Sequence, residues 1–145
     1  MNIQIREAVA NDIAGIAVLT NQLGYVTDQK TTAENFAVIQ QQKNTVVYVA
    51  VDENKVRGWL HLSEIVSLES GSFYEILGMV VDEAYQNLGI GKRLVQEAIH
   101  WSQKQGAQSL RVRSNVKRKQ AHIFYMRQGF AEMKEQKVFS LNLKP

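Results

Sequence analysis

The segment EILGMVVDEAYQNLGIGKRLV, residues 75–95, constrains this chain more than any other part of the sequence. An apolar strand runs through a glycine-containing turn directly into an amphipathic helix. The first turn of a helix has unpaired N–H groups and about half a positive charge. Because Gly89 and Gly91 lack a Cβ, a ligand can approach this backbone closely. The segment therefore predicts a binding site for a phosphate or diphosphate.

Two common phosphate-binding motifs do not fit this turn. A P-loop needs a glycine five residues before its Gly-Lys pair and a Ser or Thr after it, but Gln86 and Arg93 occupy these positions. The third glycine of the dinucleotide-binding fingerprint would fall on Leu94. A helix start that binds no ligand is the alternative that the two glycines leave open.

The remaining segments alternate between strand and helix patterns. Strands are predicted from alternation or from β-branched and aromatic content at 2–6, 45–52, 56–63, 73–82, 109–114 and 138–143. Apolar periodicity and capping residues predict four helices. They cover 12–23, begin at Thr31, run from Ile90 to Gly106, and cover 118–128. Asn11 is the expected cap of the first helix, and Thr31 with Glu34 has capping-box spacing.

The order of these elements, β-α-α-β-β-β-α-β-α-β, defines the expected fold class. A hairpin with the turn Glu53-Asn54-Lys55 makes part of the sheet antiparallel, and residues 64–72 are expected to form a loop. A further short strand is expected near 130–134. We therefore predict an α/β (α+β) protein with one domain, 1–145. Its mixed, mostly antiparallel sheet has six to seven strands flanked by four helices.

Composition excludes several classes of protein. The 145 residues include no cysteine, which excludes a disulfide scaffold, a thiolate metal site and a cysteine nucleophile. Three scattered histidines have no metal-ligand spacing, so no metal is expected. No apolar run approaches the roughly 18 residues of a membrane span, and the N-terminus has no signal-peptide pattern. These features predict a cytoplasmic protein without a membrane partner.

The pattern Gln86-x-x-Gly89-x-Gly91 after the strand GMVV resembles the acetyl-CoA-binding motif of the GNAT superfamily of N-acetyltransferases. The opening IREAVANDIAGI resembles the first strand and helix of that family. Residues 114–130, SNVKRKQAHIFYMRQGF, resemble its second signature, a short helix with a Phe-Tyr pair and Gly-Phe. Many members have proline where this chain has Glu83. The resemblance implies a GNAT-like fold and an acyltransferase that uses acetyl-CoA as cosubstrate.

The resemblance also implies the contacts of the cosubstrate. The pantetheine arm is expected along Met79, Val80 and Val81, on a strand that carries a bulge and splays from 109–114. Asn115 is expected to contact the same arm, and its alternative role is to form a turn. The diphosphate is expected on the backbone N–H groups of Gln86, Asn87, Leu88, Gly89, Ile90, Gly91 and Lys92.

The catalytic residues implied by the resemblance are Tyr125 and Glu75. The tyrosine of the Phe-Tyr pair lies near the CoA sulfur in the family, so Tyr125 is expected to protonate the thiolate; its alternative is a core tyrosine. A backbone N–H of Met79 or Val80 is expected to meet the oxyanion. Glu75, four residues before Met79, is the candidate base, and its alternative is a solvent-facing residue at a strand end.

The expected reaction is direct attack by a primary amine of a small molecule in a ternary complex. Residues 25–40 and 62–74 are expected to line the acceptor pocket, and His61 and His122 are expected to be structural or surface histidines. The alternatives are an inactive acetyl-CoA sensor, a protein amine as acceptor, and nucleic-acid binding by the basic residues of 111–119. Interleaved aromatics are not evident there, so no nucleic acid is expected. Dimers are frequent in the family, which makes a homodimer a further candidate.

Overall fold

The computed structural model describes residues 2–144. The strands are β1 (Ile3–Glu7), β2 (Thr45–Asp52), β3 (Lys55–Ser67), β4 (Gly71–Val81) and β5 (Leu110–Val112). The helices are α1 (Ile13–Gln22), α2 (Gln29–Gln40), α3 (Ile90–Lys104) and α4 (Lys119–Arg127). The chain divides into two compact units, one that ends at Arg113 and one that begins at Ser114. Whether they form one domain, as the sequence predicts, stays a prediction.

The first unit is built on one mixed sheet. Its strand order is β1-β2-β3-β4-β5, with antiparallel pairing from β1 to β4 and parallel pairing between β4 and β5. The predicted hairpin between β2 and β3 is confirmed. Glu53 and Asn54 both have positive φ, 49° and 66°, as a two-residue hairpin turn requires when its twist must match the strands.

The two faces of the sheet bury different cores. One face packs against α3 through fully buried side chains, Leu60, Leu62, Ile90, Leu94 and Val95. Gly58 permits the close approach there, because an added Cβ would lie 3.2 Å from Leu94 Cδ1. On the other face, Ile16 of α1 packs with Val49 and Val51, and Trp59 packs against them. The sheet is therefore covered by helices on both sides, which holds β4 in the interior.

A partly buried ion pair fixes the start of α1 against β1. Both guanidinium Nη atoms of Arg6 donate to the Asp12 carboxylate, at 2.7 and 2.9 Å, and the Val9 N–H donates to it at 2.8 Å. Burial raises the pKa of Asp12, but these hydrogen bonds outweigh burial, so its pKa lies below the ordinary value. The prediction that Asn11 caps this helix is wrong, since Asp12 binds the turn before it.

Two other local predictions are wrong for similar reasons. Asp28, rather than Thr31, caps α2, and its carboxylate accepts the Thr31 N–H at 2.7 Å. The expected loop over 64–72 is largely strand, because β3 continues to Ser67 and β4 begins at Gly71. The turn between them needs three residues, closed by a Ser70 N–H that donates to Ser67 Oγ at 3.0 Å.

The second unit contains α4 and a carboxyl-terminal segment without strands. The expected strands near 130–134 and at 138–143 are absent from residues 2–144, so this sheet has five strands instead of six to seven. The four predicted helices are confirmed. Alternation alone does not make a strand, because a strand also needs a neighbouring edge to pair its backbone.

Candidate active site

A β-bulge interrupts β4 in the middle of the sheet. In the β3–β4 ladder, Leu62 pairs with Ile76 and His61 pairs with Gly78, so Leu77 is the extra residue. A bulge bends the strand that carries it and increases its local twist. The bulge that the family resemblance implied for this strand is therefore confirmed, at Leu77.

The parallel pairing of β4 with β5 stops where the bulge begins. Tyr74, Glu75 and Ile76 pair with β5, and the ladder ends at the pair Ile76–Val112. Beyond it, within residues 2–144, Gly78–Val81 pairs with β3 on one side, and neither these residues nor the bulged Leu77 pairs with a strand on the other side. This leaves about 16 Å of open strand edge, at about 3.3 Å per residue. Met79, Val80 and Val81, the expected pantetheine contacts, form most of this edge.

The turn after β4 is held against β3 by one arginine. Arg57 Nη1 donates to the Asp82 carboxylate at 3.2 Å, and the Asp82 N–H donates to the Arg57 carbonyl at 2.8 Å. The guanidinium also lies 4.3 Å from the centre of the Tyr85 ring, where a cation–π contact is favourable. The Glu83 N–H donates to Gln22 Oε1 at 3.0 Å. The position of the turn is therefore set from both β3 and α1.

The start of α3 presents free backbone donors. Arg93 is the first residue whose N–H has a helical acceptor, the Gly89 carbonyl at 3.1 Å. No side chain caps the helix, and within residues 2–144 the N–H groups of 86–92 have no acceptor. Positive φ at Asn87 (64°) and Gly89 (83°) turns successive N–H groups inward, as in an anion-binding nest. An added Cβ at Gly89 would meet no atom within 4 Å, so the adjoining space is open.

Arg93 has a structural role in addition to its charge. Its Nη1 donates to the Ile3 carbonyl at 2.7 Å and so attaches α3 to β1. The adjacent Lys92 is exposed at the first turn of the helix. Of the two cations beside the glycines, Arg93 is thus bound to the β1 backbone through Nη1, and Lys92 is exposed.

Glu75 is buried on β4, one residue before the end of the parallel ladder. Its side chain is 7% exposed, and Oε1 accepts from Arg113 Nε at 2.9 Å. The alternative of a solvent-facing strand-end residue is therefore wrong. The neighbouring Arg111 stacks on the Phe73 ring at 3.8 Å. Two of the basic residues in 111–119 thus have partners within the protein, Phe73 for Arg111 and Glu75 for Arg113, which argues against the nucleic-acid alternative.

His61 is a half-buried histidine held by a hydrogen bond, which agrees with the structural role expected for it. It lies directly opposite Gly78, next to the bulge, and its Nε2 is 3.1 Å from Thr45 Oγ1. Thr45 donates its single hydroxyl proton to the Leu62 carbonyl at 3.0 Å, so Nε2–H of His61 must donate to Thr45. Burial lowers the pKa of His61, which leaves a neutral ring with a lone pair on Nδ1. The pairing register of β3 with β4 is what places His61 beside the bulge.

The second unit holds Tyr125 in an aromatic cluster. The Tyr125 ring packs edge-on against Phe124 and Phe130, with centroids 5.2 and 5.7 Å away. Burial raises the pKa of Tyr125 and outweighs the opposite effect of Arg118, so the phenol keeps its proton at neutral pH. Asn115 Oδ1 accepts the Lys117 N–H at 2.9 Å, so this side chain forms a turn, and its amide nitrogen remains a donor.

Comparison with protein families identifies the chain. The model of the acetyltransferase (GNAT) family matches residues 13–130. The chain belongs to this family. The match spans the bulge, the glycine turn and the helix of Tyr125. It is thus an acyltransferase, and acetyl-CoA is its cosubstrate.

The chain is similar to individual proteins as well. Aminoalkylphosphonate N-acetyltransferase of Salmonella typhimurium is 25% identical over 131 residues, which cover 89% of this chain and 85% of that protein. A transcriptional regulator from Bacillus halodurans has the same fold, with a TM-score of 0.87 and 22% identity over 97% of this chain and all of its own. AAC(6')-Iy, in complex with a CoA-S-monomethyl-acetylneamine bisubstrate analogue, has a TM-score of 0.85 and 14% identity over 98% of this chain and 99% of its own.

Two structural searches gave negative results within residues 2–144. No helix there is both long and apolar enough to cross a membrane. The same residues contain no group of three or more His, Asp or Glu side chains that could hold a metal ion.

The neutral state of His61 makes stability depend on pH. Below about pH 6.5, the ordinary pKa of histidine, the unfolded chain binds a proton that folded His61 resists. Stability should therefore decrease on acidification, by at most about 1.4 kcal/mol per pH unit from this residue. Urea unfolding between pH 7.5 and pH 5.5 measures the slope. In His61→Gln, the amide nitrogen can replace the donor to Thr45. The dependence of the unfolding free energy on pH should therefore be weaker than in the wild type.

His100 provides the matched control, because it is an exposed histidine on α3. His100→Gln should keep the slope of the wild type. Equal slopes in all three proteins would show that His61 is not held neutral by the fold.

Proposed function

We propose that this protein acetylates a primary amine of a small molecule, by direct attack of the amine in a ternary complex with acetyl-CoA. The observation that carries the proposal is the open edge of Leu77–Val81, which leads to the unpaired N–H groups of 86–92. A ligand with both amides and a diphosphate matches the two surfaces in order along the chain.

The nature of the relatives supports a small acceptor. The Salmonella protein is named for aminoalkylphosphonates, and AAC(6')-Iy is bound to an analogue that contains acetylneamine. Both acceptors are small amines. At neutral pH an alkyl amine is cationic, since its pKa is close to 10.4. An acceptor site for such a molecule needs an anionic group, and Glu75 is the buried carboxylate of β4.

The binding of acetyl-CoA is assigned to three groups of residues. The diphosphate binds the N–H groups from Gln86 to Lys92, where the left-handed Gly89 leaves room. The pantetheine amides pair with Met79, Val80 and Val81 as an added strand. The amide nitrogen of Asn115 donates to the same arm. Acetyl-CoA supplies an activated thioester, and the backbone at the bulge orients it.

Gly89→Ala tests the diphosphate site. The methyl group occupies the space that the diphosphate needs, so the Kd for acetyl-CoA should rise about tenfold, equivalent to about 1.4 kcal/mol. Gly106→Ala is the control, because its φ of 80° matches the 83° of Gly89 and neither added Cβ meets an atom within 4 Å. Both variants should lose about 1 kcal/mol of stability through left-handed strain. Titration calorimetry and urea unfolding measure the two effects.

Equal Kd values for the two glycine variants would contradict this assignment. A loss of affinity in both, in proportion to their loss of stability, would also contradict it, because strain alone would then explain the effect.

The proposed chemistry divides proton transfer between two residues. Glu75 holds the ammonium group of the acceptor and, directly or through water, accepts the proton that the amine must lose. A backbone N–H of Met79 or Val80 donates to the oxyanion. Tyr125, kept protonated by burial, donates its phenolic proton to the departing thiolate. Arg113 holds one carboxylate oxygen of Glu75 in place.

Glu75→Gln tests the role of this carboxylate. The amide keeps the shape and can accept from Arg113, but it neither attracts the ammonium group nor accepts its proton. We expect kcat/KM for the amine to fall about 100-fold, at the lower end of general-base effects, with an unchanged KM for acetyl-CoA. Steady-state kinetics across pH 6–9 checks this. Activity within twofold of the wild type would exclude Glu75 from both roles.

An amine panel tests the proposed function itself. Release of free thiol from acetyl-CoA is measured with aminoalkylphosphonates, aminoglycosides, amino sugars and a lysine-containing peptide. We expect turnover with a small amine and little with the peptide. With the best acceptor, Tyr125→Phe should lower kcat about 100-fold without weakening acetyl-CoA binding, because it removes one proton donor.

Tyr48→Phe is the matched control, since Tyr48 is a buried tyrosine of β2 outside the proposed site. Its activity should equal that of the wild type. Tight acetyl-CoA binding without turnover on any amine would favour the inactive sensor, and preference for the peptide would favour a protein acceptor.

A further inference from the structure

His61 has a second ring nitrogen that the fold does not use. The contact with Thr45 makes Nε2 the donor nitrogen, so in the neutral ring Nδ1 carries a lone pair. Within residues 2–144, no hydrogen bond reaches Nδ1. The two ring nitrogens of imidazole point in widely different directions. A ring that directs Nε2 at Thr45 on β2 therefore directs Nδ1 away from β2.

The pairing register places His61 and Glu75 on one face of the sheet. Glu75 pairs with Ser63, and Ser63 pairs with Thr45, so these three side chains form a straight row across β4, β3 and β2. His61 lies two residues before Ser63 on β3 and shares its face, because side chains alternate along a strand. Leu62, between them, belongs to the opposite face, which packs against α3.

Glu75 offers a second acceptor close to His61. Arg113 Nε donates to Oε1 at 2.9 Å, and within residues 2–144 no hydrogen bond holds Oε2. Diagonal neighbours on one face of paired strands lie about 7 Å apart, within reach of long side chains. One ammonium nitrogen can bridge two acceptors about 5 Å apart, because each hydrogen bond spans about 2.9 Å and the N–H groups diverge tetrahedrally. A histidine and a glutamate at diagonal positions can therefore bind the same nitrogen.

The position on β4 directly opposite His61 is a glycine. Gly78 pairs with His61, and the bulged Leu77 precedes it in the chain. The end of the Trp59 ring lies over Gly78, since an added Cβ there would be 2.9 Å from Trp59 Cη2. A side chain at position 78 would have to displace the indole ring. Glycine thus leaves His61 and Trp59 as the side chains that flank the bulge on this face.

We propose, as a refinement of the proposed function, that His61 is a second binding residue for the acceptor amine. Nδ1 of His61 accepts one N–H of the ammonium group, and Oε2 of Glu75 accepts another. The amine is thereby held beside Gly78, one residue before the N–H of Met79 that is proposed for the oxyanion. A primary ammonium group suits this pair, since its three N–H groups can bond to both acceptors. Two fixed contacts restrict the orientation of the amine before it attacks.

Two substitutions separate the roles of the two ring nitrogens. Glutamine at position 61 can place its amide nitrogen near the position of Nε2 and keep the donor to Thr45, but it has no acceptor near the position of Nδ1. Asparagine can place its amide oxygen near the position of Nδ1, but it is too short to reach Thr45. His61→Gln should therefore lose the contact with the amine, and His61→Asn should lose the contact with β2.

Steady-state kinetics with the best amine of the panel measures the difference. In His61→Gln, KM for the amine should rise about tenfold, as expected for one hydrogen bond to a charged group, while KM for acetyl-CoA is unchanged. In His61→Asn, KM for the amine should stay within about threefold of the wild type, while the urea midpoint falls. His100→Gln is the control, since His100 is exposed on α3, and it should keep both KM values.

Binding without turnover gives a second measurement on the unaltered chain. Each amine of the panel is added to the complex of the protein with CoA, which has no acetyl group to transfer. With ¹⁵N-labelled histidine, the Nδ1 resonance of His61 should shift on addition of an amine, and the resonances of His100 should not. Calorimetry on the same complex should give a Kd for that amine about tenfold higher in His61→Gln than in the wild type.

Three results would overturn the role of His61. The first is an equal KM for the amine in the wild type and in His61→Gln. The second is a rise of this KM that is as large in His61→Asn as in His61→Gln, because loss of a structural contact would then explain both. The third is an Nδ1 resonance that no amine of the panel shifts. Turnover by the wild type decides the proposed reaction separately, since the CoA complex reports binding alone.

Discussion

The bulge at Leu77 is the constraint on which the site depends. One extra residue in β4 ends the parallel ladder with β5 at Ile76–Val112, and beyond this pair the strand keeps a partner on one side only. Unpaired backbone groups inside a protein are costly unless a ligand satisfies them. In the proposed function, the amides of acetyl-CoA pair with these groups at the break in the sheet.

Around this break, the charged residues are held by the fold before any ligand arrives. Arg57 fixes the turn after β4, Arg93 fixes the start of α3, and Arg113 holds Glu75. Groups that are positioned in advance cost little reorganisation when the reaction occurs. Lys92 is exposed on the first turn of α3.

In the second unit, the candidate site residues are held by contacts with residues nearby in the chain. Tyr125 packs edge-on against Phe124 and Phe130, and Asn115 forms the turn before α4. Beyond Gly129 the sequence pattern predicts strands near 130–134 and at 138–143, which the described chain does not form. Pairing there requires an edge that local sequence cannot supply, and this is why the number of strands was overestimated.

The sequence by itself determined the family, the hairpin between β2 and β3, and the glycine turn at 86–92. These features depend on neighbours in the chain, such as the positive φ of Gly89 and the free donors at a helix start. Tertiary structure decided the bulge at Leu77, the burial of Glu75 against Arg113, and the place of His61 opposite Gly78. Those depend on strand register and on contacts between distant residues, which no local pattern encodes.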